Sequence, residues 1–573
     1  MRKLLLGLAF ASGSMLLQAQ QNATNFKYLD INRVKAGVSC KNLMHFDSLT
    51  GGPSYEVPQG SNTHSGIGAS LWISGYDAGN VLHTAAQTYR QSGQDFWPGP
   101  LDITNASITP SVSAAWNKVW KINASDIASF LSGNAPSNDI LAWPGNGDLS
   151  LGQASLQAPY VDVNADGHYD PANGDYPKIK GDQAIFYIVN DKLAAHTSSG
   201  GASIGIEMQV MAYAYNCPQV LAGHNELAYT TFYDYKIINR SANTLRSTYV
   251  SLWNDVDLGY YGDDFLGSDI NRQMGFVYNG DAVDQSSSGQ NGYGNYPPAQ
   301  GVTILNGPLA DPGDAIDNDM DGLIDELGET IGMTKLIYCN NSFPGIPMQT
   351  TFPATAADYR NYQTAYWKDG TPFSCGGNGY GGSTATSYVY PENSYPSAQY
   401  PFCGTGWTEA SAGNVPGDRM FILSSGPFTL SPGAVEEVEY AYVTSFDSTN
   451  AGNPGAAVIK LKSDVDKIRQ FYQTGMASAC NPGIQQGVKQ ISESFHFSLY
   501  PNPATAQLTV SCSNKANNKI HCEIADMLGR TVISMQTSQQ ESFVVDITSL
   551  NPGVYFIKLN INGTSSVKKF IKD

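Results

Sequence analysis

Apolar and polar positions alternate, or apolar positions run on without interruption, in many short stretches of the chain. In residues 230–238, aromatic and aliphatic side chains at odd positions alternate with Phe232, Asp234 and Lys236 at even positions. This alternation predicts a half-buried strand with one aromatic face. Comparable β-type runs lie at 67–74, 184–190, 204–215, 229–239, 248–253, 274–278, 420–424 and 435–444.

Helical periodicity is convincing at residues 456–472. Val458, Leu461, Val465, Ile468 and Tyr472 fall there at spacings of three or four, which places them on one face of a helix. The β-type runs outnumber this signal, and 58 Gly, 30 Pro and 33 Tyr favour turns and aromatic strands over long helices. The pattern predicts a mainly β protein whose body is an antiparallel β-sandwich, or two of them, with long loops.

The stretch from residue 495 onwards has its own pattern. Short β-rich runs lie at 507–511, 520–524, 531–535, 543–547, 554–559 and 567–571, and turn-forming residues such as Asn551-Pro552-Gly553 separate them. Closely spaced short strands of this kind predict a small Ig-like antiparallel β-sandwich.

This tail also contains four motifs in a characteristic order: Tyr500-Pro501-Asn502-Pro503, Asp526-Met527-Leu528-Gly529-Arg530, Leu550-Asn551-Pro552-Gly553-Val554-Tyr555 and Lys569-Phe570-Ile571-Lys572. In this order they resemble the C-terminal sorting domain of the type IX secretion system of Bacteroidota. The resemblance implies that the outer-membrane translocon and its sortase-like machinery recognise the tail, and that the cargo is released or attached to surface lipopolysaccharide. The sorting signal would comprise Tyr500, Pro501, Asn502, Pro503, Gly529, Arg530, Pro552, Gly553, Tyr555, Lys569 and Lys572. An ordinary Ig-like appendage is the alternative.

The N-terminus has the pattern of a secretory signal peptide at residues 1–19. Arg2 and Lys3 precede an apolar stretch, and Ala19 supplies a small residue before the expected cleavage point. A membrane anchor, the alternative, needs about 20 apolar residues, and this run is shorter. We expect a body at 20–480, as one unit or two subdomains, a polar linker at 481–494 and the sorting domain at 495–573. We expect the mature chain to lack a transmembrane segment and to be secreted or at the outer cell surface.

The formal net charge of −18 is unevenly distributed. Residues 495–573 contain seven basic and five acidic residues, a net charge of +2, and residues 1–19 contribute another +2, which leaves −22 on the rest. Nucleic-acid binding requires a basic face for phosphate, so this balance argues against a nucleic-acid partner.

Eight cysteines in an exported chain make disulfides permissible. They form no Cys-x-x-Cys pair, which argues against zinc-ribbon and thioredoxin-type sites. We expect Cys375 to pair with Cys403 across a loop rich in Gly and Tyr, and Cys512 with Cys522 between neighbouring strands, although spacing alone does not fix connectivity.

An acidic loop at residues 162–175 carries oxygen side chains in alternation. Asp162, Asn164, Asp166 and Asp170 occupy positions 1, 3, 5 and 9, with Gly167 at position 6. Ca²⁺ takes about six to eight oxygen ligands, and such a loop supplies them around a sharp glycine turn. The loop resembles the calcium loop of EF-hand and dockerin modules.

The same loop departs from that pattern at position 12, where Asn173 replaces the usual acid. Asp175, two residues later, is the candidate replacement ligand. A solvated loop of Asx turns is the alternative.

A second acidic loop spans residues 311–329 and resembles the calcium loop of thrombospondin type 3 repeats. Its candidate ligands are Asp317, Asp319, Asp321, Asp325 and Glu326. Carboxylates this close repel one another unless a cation neutralises them. Gly322 occupies the turn position, and we expect Leu323 and Ile324 to anchor the far side. A flexible acidic loop is the alternative.

A third acidic group follows the predicted strand at 248–253. Its members are Asp255, Asp257, Asp263, Asp264 and Asp269. We expect them at one edge of a sandwich as a metal or other ligand site. A solvated hairpin tip is the alternative.

The sequence contains no familiar catalytic motif. The eight histidines lack the spacing of four that a zincin helix needs, and neither a G-x-S-x-G elbow nor a Walker loop is present. Glycosidase chemistry requires only two suitably placed carboxylates, and the candidates are Asp234, Glu207, Glu226 and the pair Asp255 and Asp257. Outward-facing strand positions explain Asp234 and Glu207 equally well. The sequence therefore does not decide whether the protein is an enzyme, and the lack of a catalytic motif favours a protein without enzymatic activity.

Three body segments also resemble parts of large, mostly uncharacterised type IX cargo proteins, and no activity comes with that likeness. The matching residues include Gly174-Asp175-Tyr176-Pro177, Asp257-Leu258-Gly259 and Gly426-Pro427-Phe428-Thr429-Leu430. We expect a secreted or surface-displayed β protein in which structural Ca²⁺ orders acidic loops, with an adhesion, surface or matrix role and glycans or lipopolysaccharide as partners. The alternatives are a secreted carbohydrate-active enzyme or peptidase and a non-catalytic glycan-binding protein.

Overall fold

The computed structural model describes residues 25–89, 93–216, 225–319, 322–325, 328–342, 344–391, 403, 406–474, 497–501, 504–512, 519–525, 531–537, 542–561 and 564–572. Contacts divide the chain into two compact units, Met1–Ile484 and Gln485–Asp573. The predicted signal peptide and the linker at 481–494 lie outside the described residues. Within the described part, no helix is both long and apolar enough to cross a membrane.

The first unit is mainly β, which confirms the predicted fold class. Its strands are β1 (Phe26–Leu29), β2 (Lys35–Ser39), β3 (Phe46–Asp47), β4 (Gly52–Pro53), β5 (Tyr55–Glu56), β6 (Gly68–Tyr76), β7 (Leu82–Ala85), β8 (Trp97–Pro98), β9 (Trp120–Asn123), β10 (Tyr160–Val161), β11 (Tyr176–Pro177), β12 (Gln183–Asn190), β13 (Ile206–Ala214), β14 (Thr230–Asn239), β15 (Leu245–Asp255), β16 (Asp264–Asp269), β17 (Met274–Asn279), β18 (Ala299–Asn306), β19 (Lys335–Asn340), β20 (Arg419–Leu430) and β21 (Val435–Ser445). Its α-helices are α1 (Pro110–Ala115), α2 (Ala124–Leu131), α3 (Asn138–Leu141), α4 (Ala356–Gln363) and α5 (Pro454–Gln473).

Two antiparallel sheets form the sandwich. The larger has the order β16-β17-β18-β21-β14-β13-β12-β8, with β9 also paired to β12, and the smaller has the order β19-β20-β15-β6-β7. Side chains from both sheets fill one apolar cluster, including Tyr233 and Tyr235 of β14 and the stacked rings of Trp72 and Trp253. Each large side chain buried in this way contributes about 1.5–3 kcal/mol, so the aromatic strands hold the two sheets together.

A second apolar cluster covers the other face of the larger sheet. Val458, Leu461, Val465 and Ile468, on the predicted face of α5, are buried in it. This layer corrects the prediction that β14 is half-buried: Phe232 is buried on the helix side, while Asp234 lies 2.8 Å from Lys180 Nζ.

The described cysteines settle the two predicted disulfides. Cys375 and Cys403 are bonded, as predicted. The pairing of Cys512 with Cys522 is wrong, because Cys522 is a buried free thiol. Its strand lies in a different sheet from that of Cys512, and its register partners are Met535 and Leu559.

The second unit is a small sandwich of two antiparallel sheets. Its strands are β22 (Phe497–Tyr500), β23 (Gln507–Cys512), β24 (Ile520–Ala525), β25 (Thr531–Thr537), β26 (Ser542–Asp546), β27 (Gly553–Ile561) and β28 (Thr564–Lys572). One sheet has the order β22-β23-β26 and the other β25-β24-β27-β28. One apolar cluster, with Val510, Ile524 and Phe570 among its members, joins the two sheets.

Candidate metal centres

The ends of β15 and β20 bring together acids that are distant in the sequence. The two strands are antiparallel neighbours, and their register places Asp255 opposite Met420. Asp257 lies just beyond the end of β15, and Asp418 lies just before β20. Each of Asp255, Asp257 and Asp418 offers a carboxylate oxygen, and these oxygens lie within 4.8 Å of one another. We call these three residues the aspartate trio.

The aspartate trio is buried and takes part in hydrogen bonds with neighbouring side chains. Asp255 is 1%, Asp257 6% and Asp418 8% exposed. Tyr89 donates its hydroxyl to Asp255 at 2.7 Å, and Asn341 donates its amide to Asp418 at 2.8 Å. Two unit charges 4 Å apart repel by about 4 kcal/mol at an effective dielectric constant of 20. A bound divalent cation is the group that best neutralises three such carboxylates.

Asp264 places a fourth buried carboxylate beside the trio. Its Oδ2 accepts the backbone N–H of Leu258 at 3.0 Å, and its backbone oxygen accepts the N–H of Gly417 at 2.9 Å. Asp264 is therefore hydrogen-bonded to Leu258, which follows Asp257, and to Gly417, which precedes Asp418. Its side chain is buried, and its Oδ1 has no hydrogen-bond partner among the described residues. Burial, reinforced by nearby carboxylates, raises the pKa of Asp264 well above its usual range.

The two remaining acids of the third predicted group, Asp263 and Asp269, are not among the three carboxylates that meet in the trio. Burial and the charge of Asp284 raise the pKa of Asp263 to about 7. Asp269 forms an ion pair with Arg272 at 2.8 Å. All five acids of the group are buried, so they do not form a solvated hairpin tip. One weak signal for the missing member, Asp418, is present in the sequence: it is an acid two residues before the β-type run at 420–424.

The loop at residues 162–175 places Asp162, Asp166 and Asp175 together, each offering an oxygen within 4.8 Å of the others. Asp175 is fully buried and accepts the backbone N–H groups of Val163 at 2.8 Å and Asp170 at 2.9 Å. The structure thus places Asp175 with Asp162 and Asp166, and Asp175 stays the candidate replacement for the acid that is missing at Asn173.

The other two candidates, Asn164 and Asp170, form hydrogen bonds within the loop. Asp170 caps a short 3-10 turn by accepting the N–H of Ala172 at 2.9 Å. Asn164 is exposed and donates its amide to Asp166 at 2.8 Å. A hydrogen bond from the N–H of His168 is the main reason why the pKa of Asp166 is lowered.

The loop at residues 311–329 brings Asp317, Asp319 and Glu329 together, again with oxygens within 4.8 Å. Glu329 was not among the predicted ligands. It is buried, and its Oε1 accepts the backbone N–H of Asn318. Asp325 instead accepts the N–H of Ala315 at 3.2 Å.

The remaining predictions for this loop have mixed outcomes. Asp321 and Glu326 lie outside the described residues. Leu323 and Ile324 do not anchor the loop, because they are 58% and 60% exposed. Asp311 connects the start of this loop to β20, because its carboxylate accepts the backbone N–H and the hydroxyl of Thr429, both at 2.8 Å.

Comparison with protein families identifies the second unit. A family model for secretion system C-terminal sorting domains matches residues 498–573. The chain carries a sorting domain. The protein is therefore exported by type IX secretion to the cell surface or the extracellular space.

The described residues of the sorting signal lie on and between the strands of this domain. Tyr500 ends β22 and is exposed, whereas Tyr555 is buried, stacks on Phe570 and donates its hydroxyl to the backbone oxygen of Asn551 at 3.0 Å. Lys572 is buried at the end of β28. Pro501, Pro552, Gly553 and Lys569 are also described, whereas Asn502, Pro503, Gly529 and Arg530 lie outside the described residues.

Comparison with whole proteins adds no functional argument. No curated protein matches the chain. Among solved structures, a polysaccharide lyase is similar at 8% identity and a TM-score of 0.16, over 64% of this chain and 34% of the lyase. The BSP domain of a biofilm-associated protein is similar at 8% identity and a TM-score of 0.13, over 88% of this chain and 80% of that domain. The chain thus spans about a third of the lyase, and neither similarity bears on its function.

Proposed function

We propose that this type IX cargo acts at the cell surface or in the extracellular matrix as an adhesion or surface protein, with Ca²⁺ as a structural cofactor. The observation that carries the proposal is the aspartate trio, Asp255, Asp257 and Asp418. Three acids from two segments that are distant in the sequence meet at the end of the smaller sheet, in a buried position, with oxygens within 4.8 Å of one another. An all-oxygen ligand set of this kind suits Ca²⁺ better than Zn²⁺, which prefers sulfur and nitrogen.

The position of the trio supports a structural role for the ion. The ligands come from the end of β15 and from the segment before β20, so an ion held there would tie these two segments together. The acidic loops at 162–175 and 311–329 each add a similar group of three carboxylates. Binding to the folded state alone stabilises it by about 2.7 kcal/mol when free Ca²⁺ is one hundred times the dissociation constant.

The sorting domain supports the cellular part of the proposal. It accounts for export, whereas attachment to surface lipopolysaccharide and processing by a sortase-like enzyme remain part of the proposal. An adhesion or matrix role is consistent with a protein of this kind that contains no recognised catalytic motif.

Thermal unfolding tests the calcium part. The mature protein is first stripped with EDTA, and the unfolding temperature is then measured with no addition, with millimolar Ca²⁺ and with millimolar Mg²⁺. We expect a clear rise with Ca²⁺ and a smaller one with Mg²⁺, which demands a tighter octahedral site. The variant Asp257→Asn should show a reduced rise, whereas Asp139→Asn, a change at a partly exposed acid on α3, should match the wild type. An unchanged unfolding temperature with Ca²⁺ would refute the calcium part.

A cellular experiment tests the adhesion part. A strain that lacks the gene is complemented with the wild-type protein or with Asp257→Asn, and attachment to a surface is measured at matched amounts of exported protein. We expect attachment to fall in the deletion strain and to recover with the wild type only. Attachment that does not depend on the gene would contradict the proposed role.

A further inference from the structure

A cavity of about 590 Å³ lies beside the aspartate trio and shares Asp418 with it. We call it the amide pocket, because four asparagines are among the residues that line it. Its lining includes Tyr260, Tyr261, Asn378, Asn414, Asp418 and Arg419. A pocket of this size, with aromatic surfaces and a few fixed polar groups, is of the kind that holds small ligands.

The walls of the amide pocket combine ring faces with groups that both donate and accept hydrogen bonds. The rings of Tyr260 and Tyr261 lie 5.1 Å apart, and both side chains are partly exposed. An asparagine side chain has two N–H donors and a carbonyl acceptor, and Asn340, Asn341 and Asn414 each use one of the two donors within the protein. A sugar ring presents the matching pattern, since its hydroxyls both donate and accept and its C–H faces pack on tyrosine rings.

The pocket carries little uncompensated charge. The guanidinium of Arg419 is held by the buried Glu409, with Nη2 3.1 Å from Oε2. Asp418 belongs to the trio, where the proposed Ca²⁺ would balance it. The mature body is acidic overall, so an anionic polymer gains nothing from approaching this surface. These features favour an uncharged ligand.

The walls are also held in place before any ligand arrives. The hydroxyl of Tyr338 donates to the backbone oxygen of Asn378 at 2.9 Å, and the amide of Asn414 donates to the hydroxyl of Tyr390 at 2.7 Å. The disulfide between Cys375 and Cys403 closes the loop that carries Asn378. A preformed site loses less conformational entropy on binding, which favours recognition of a flexible ligand.

An extended peptide is a poorer fit, because the nearby sheet edge is already paired. β19 is the outer strand of the smaller sheet, but Leu336 exchanges backbone hydrogen bonds with Ser387 and Val389 at 2.9 and 3.0 Å. Asn340 forms a bridge with Thr351 at the pocket end of this strand. Peptide binding by strand addition needs an unpaired edge, and this edge is covered.

We propose that the amide pocket binds an uncharged saccharide, with Tyr260 and Tyr261 against the sugar ring and Asn378 and Asn414 bonded to its hydroxyls. The inference rests on the proposed function at one point only: Ca²⁺ in the trio would hold Asp418, which is one of the residues that line the pocket. It gives the surface protein a glycan as its partner.

Binding is measured by isothermal titration calorimetry on the mature protein in millimolar Ca²⁺. The probes are neutral gluco-, manno-, galacto- and xylo-oligosaccharides, with oligogalacturonate as an anionic comparison and a tryptic digest of serum albumin as a peptide comparison. We expect at least one neutral oligosaccharide to bind and both comparisons to fail. Binding of the anionic or the peptide probe alone would overturn the proposal, as would the failure of every neutral probe.

Variants locate the site and separate the two proposals. We expect Tyr261→Ala and Asn378→Ala to weaken saccharide binding at least tenfold while leaving the rise in unfolding temperature with Ca²⁺ unchanged. Tyr296→Ala, a change at an exposed tyrosine outside the pocket lining, should bind like the wild type. Unchanged binding by both pocket variants would overturn the assignment of the pocket. A protein that binds the saccharide but gains no stability from Ca²⁺ would instead refute the calcium part of the proposed function and leave the pocket assignment standing.

Discussion

Asp255 ends β15 and Asp418 immediately precedes β20, and their carboxylate oxygens approach within 4.8 Å because these two strands pair in antiparallel register. This relationship predicts opposite effects of Asp255→Asn in two conditions. In EDTA the variant should unfold at a temperature about 1–3 °C higher than the wild type, because one of three repelling charges is gone. In millimolar Ca²⁺ it should unfold at a lower temperature, because the ion has lost a charged ligand.

The amide of the variant can still accept the hydrogen bond from Tyr89, so this contact does not confound the comparison. Differential scanning calorimetry in both buffers measures the effect. A variant that is less stable than the wild type in EDTA as well would contradict the repulsion argument, because it would mean that the Asp255 carboxylate stabilises the fold without a cation.

The acidic loop at 311–329 should become resistant to proteolysis when Ca²⁺ is present. Endoproteinase Glu-C cleaves after acidic residues and can be used with or without EDTA, and mass spectrometry identifies the cut sites. We expect cuts within the loop in EDTA and protection in Ca²⁺, because an ion held by Asp317, Asp319 and Glu329 closes the loop.

Asp319→Ala should remove this protection but leave that of the loop at 162–175, which serves as a control within the same molecule. Equal cleavage of the wild-type loop in the two buffers would count against ion binding there.

His45 should make the protein sensitive to acid. It is buried among Tyr55, Tyr233 and Tyr442, and burial lowers its pKa to about 3. Its stabilising effect is complete above the unfolded pKa of about 6.5 and is lost as the pH falls towards 3, because the unfolded chain takes up a proton that the folded protein excludes. Between pH 6.5 and 5 the free energy of unfolding falls by about 1.5 kcal/mol for this reason.

His45→Asn isolates this contribution, because asparagine tolerates the positive φ of 63° at this position. We expect the variant to be less stable than the wild type at pH 7. Between pH 6.5 and 5, its free energy of unfolding, measured with urea, should fall by about 1.5 kcal/mol less than that of the wild type. Parallel pH profiles for the two proteins would show that His45 is not the responsible group.

The disulfide between Cys375 and Cys403 should stabilise the wall of the amide pocket. It joins residues 28 positions apart, and removing a bond of this kind costs about 2–4 kcal/mol. We expect the double variant Cys375→Ser, Cys403→Ser to unfold at a lower temperature and to bind the saccharide more weakly. The double variant keeps both positions small and polar and leaves no unpaired thiol. Saccharide affinity equal to that of the wild type would show that the bond does not shape the pocket.

The regular elements could be predicted from the sequence where the local pattern is strong. The runs at 229–239 and 435–444 correspond closely to β14 and β21, and the periodic stretch at 456–472 corresponds to α5. These elements are long and bury a continuous apolar face. The short helices were missed, although α4 has a capping box in which Thr355 and Asp358 satisfy each other's backbone N–H groups.

The candidate sites were only partly predictable, because strand pairing and loop folding decide which acids complete each group of three. Spacing identified Asp255 and Asp257, but Asp418 joins them through the register of β15 and β20. Glu329 likewise meets Asp317 through the folding of the loop. The same limit explains the wrong pairing of Cys512 with Cys522: closeness in sequence did not reveal that their strands belong to different sheets.

The most direct test of the calcium-stabilised fold is a calorimetric titration of Ca²⁺ into the EDTA-stripped, desalted mature protein. We predict saturable binding of more than one ion per chain, with one binding event lost in Asp257→Asn and the others retained. Wild-type protein that takes up no Ca²⁺, or an Asp257→Asn variant whose titration matches that of the wild type, would contradict the account.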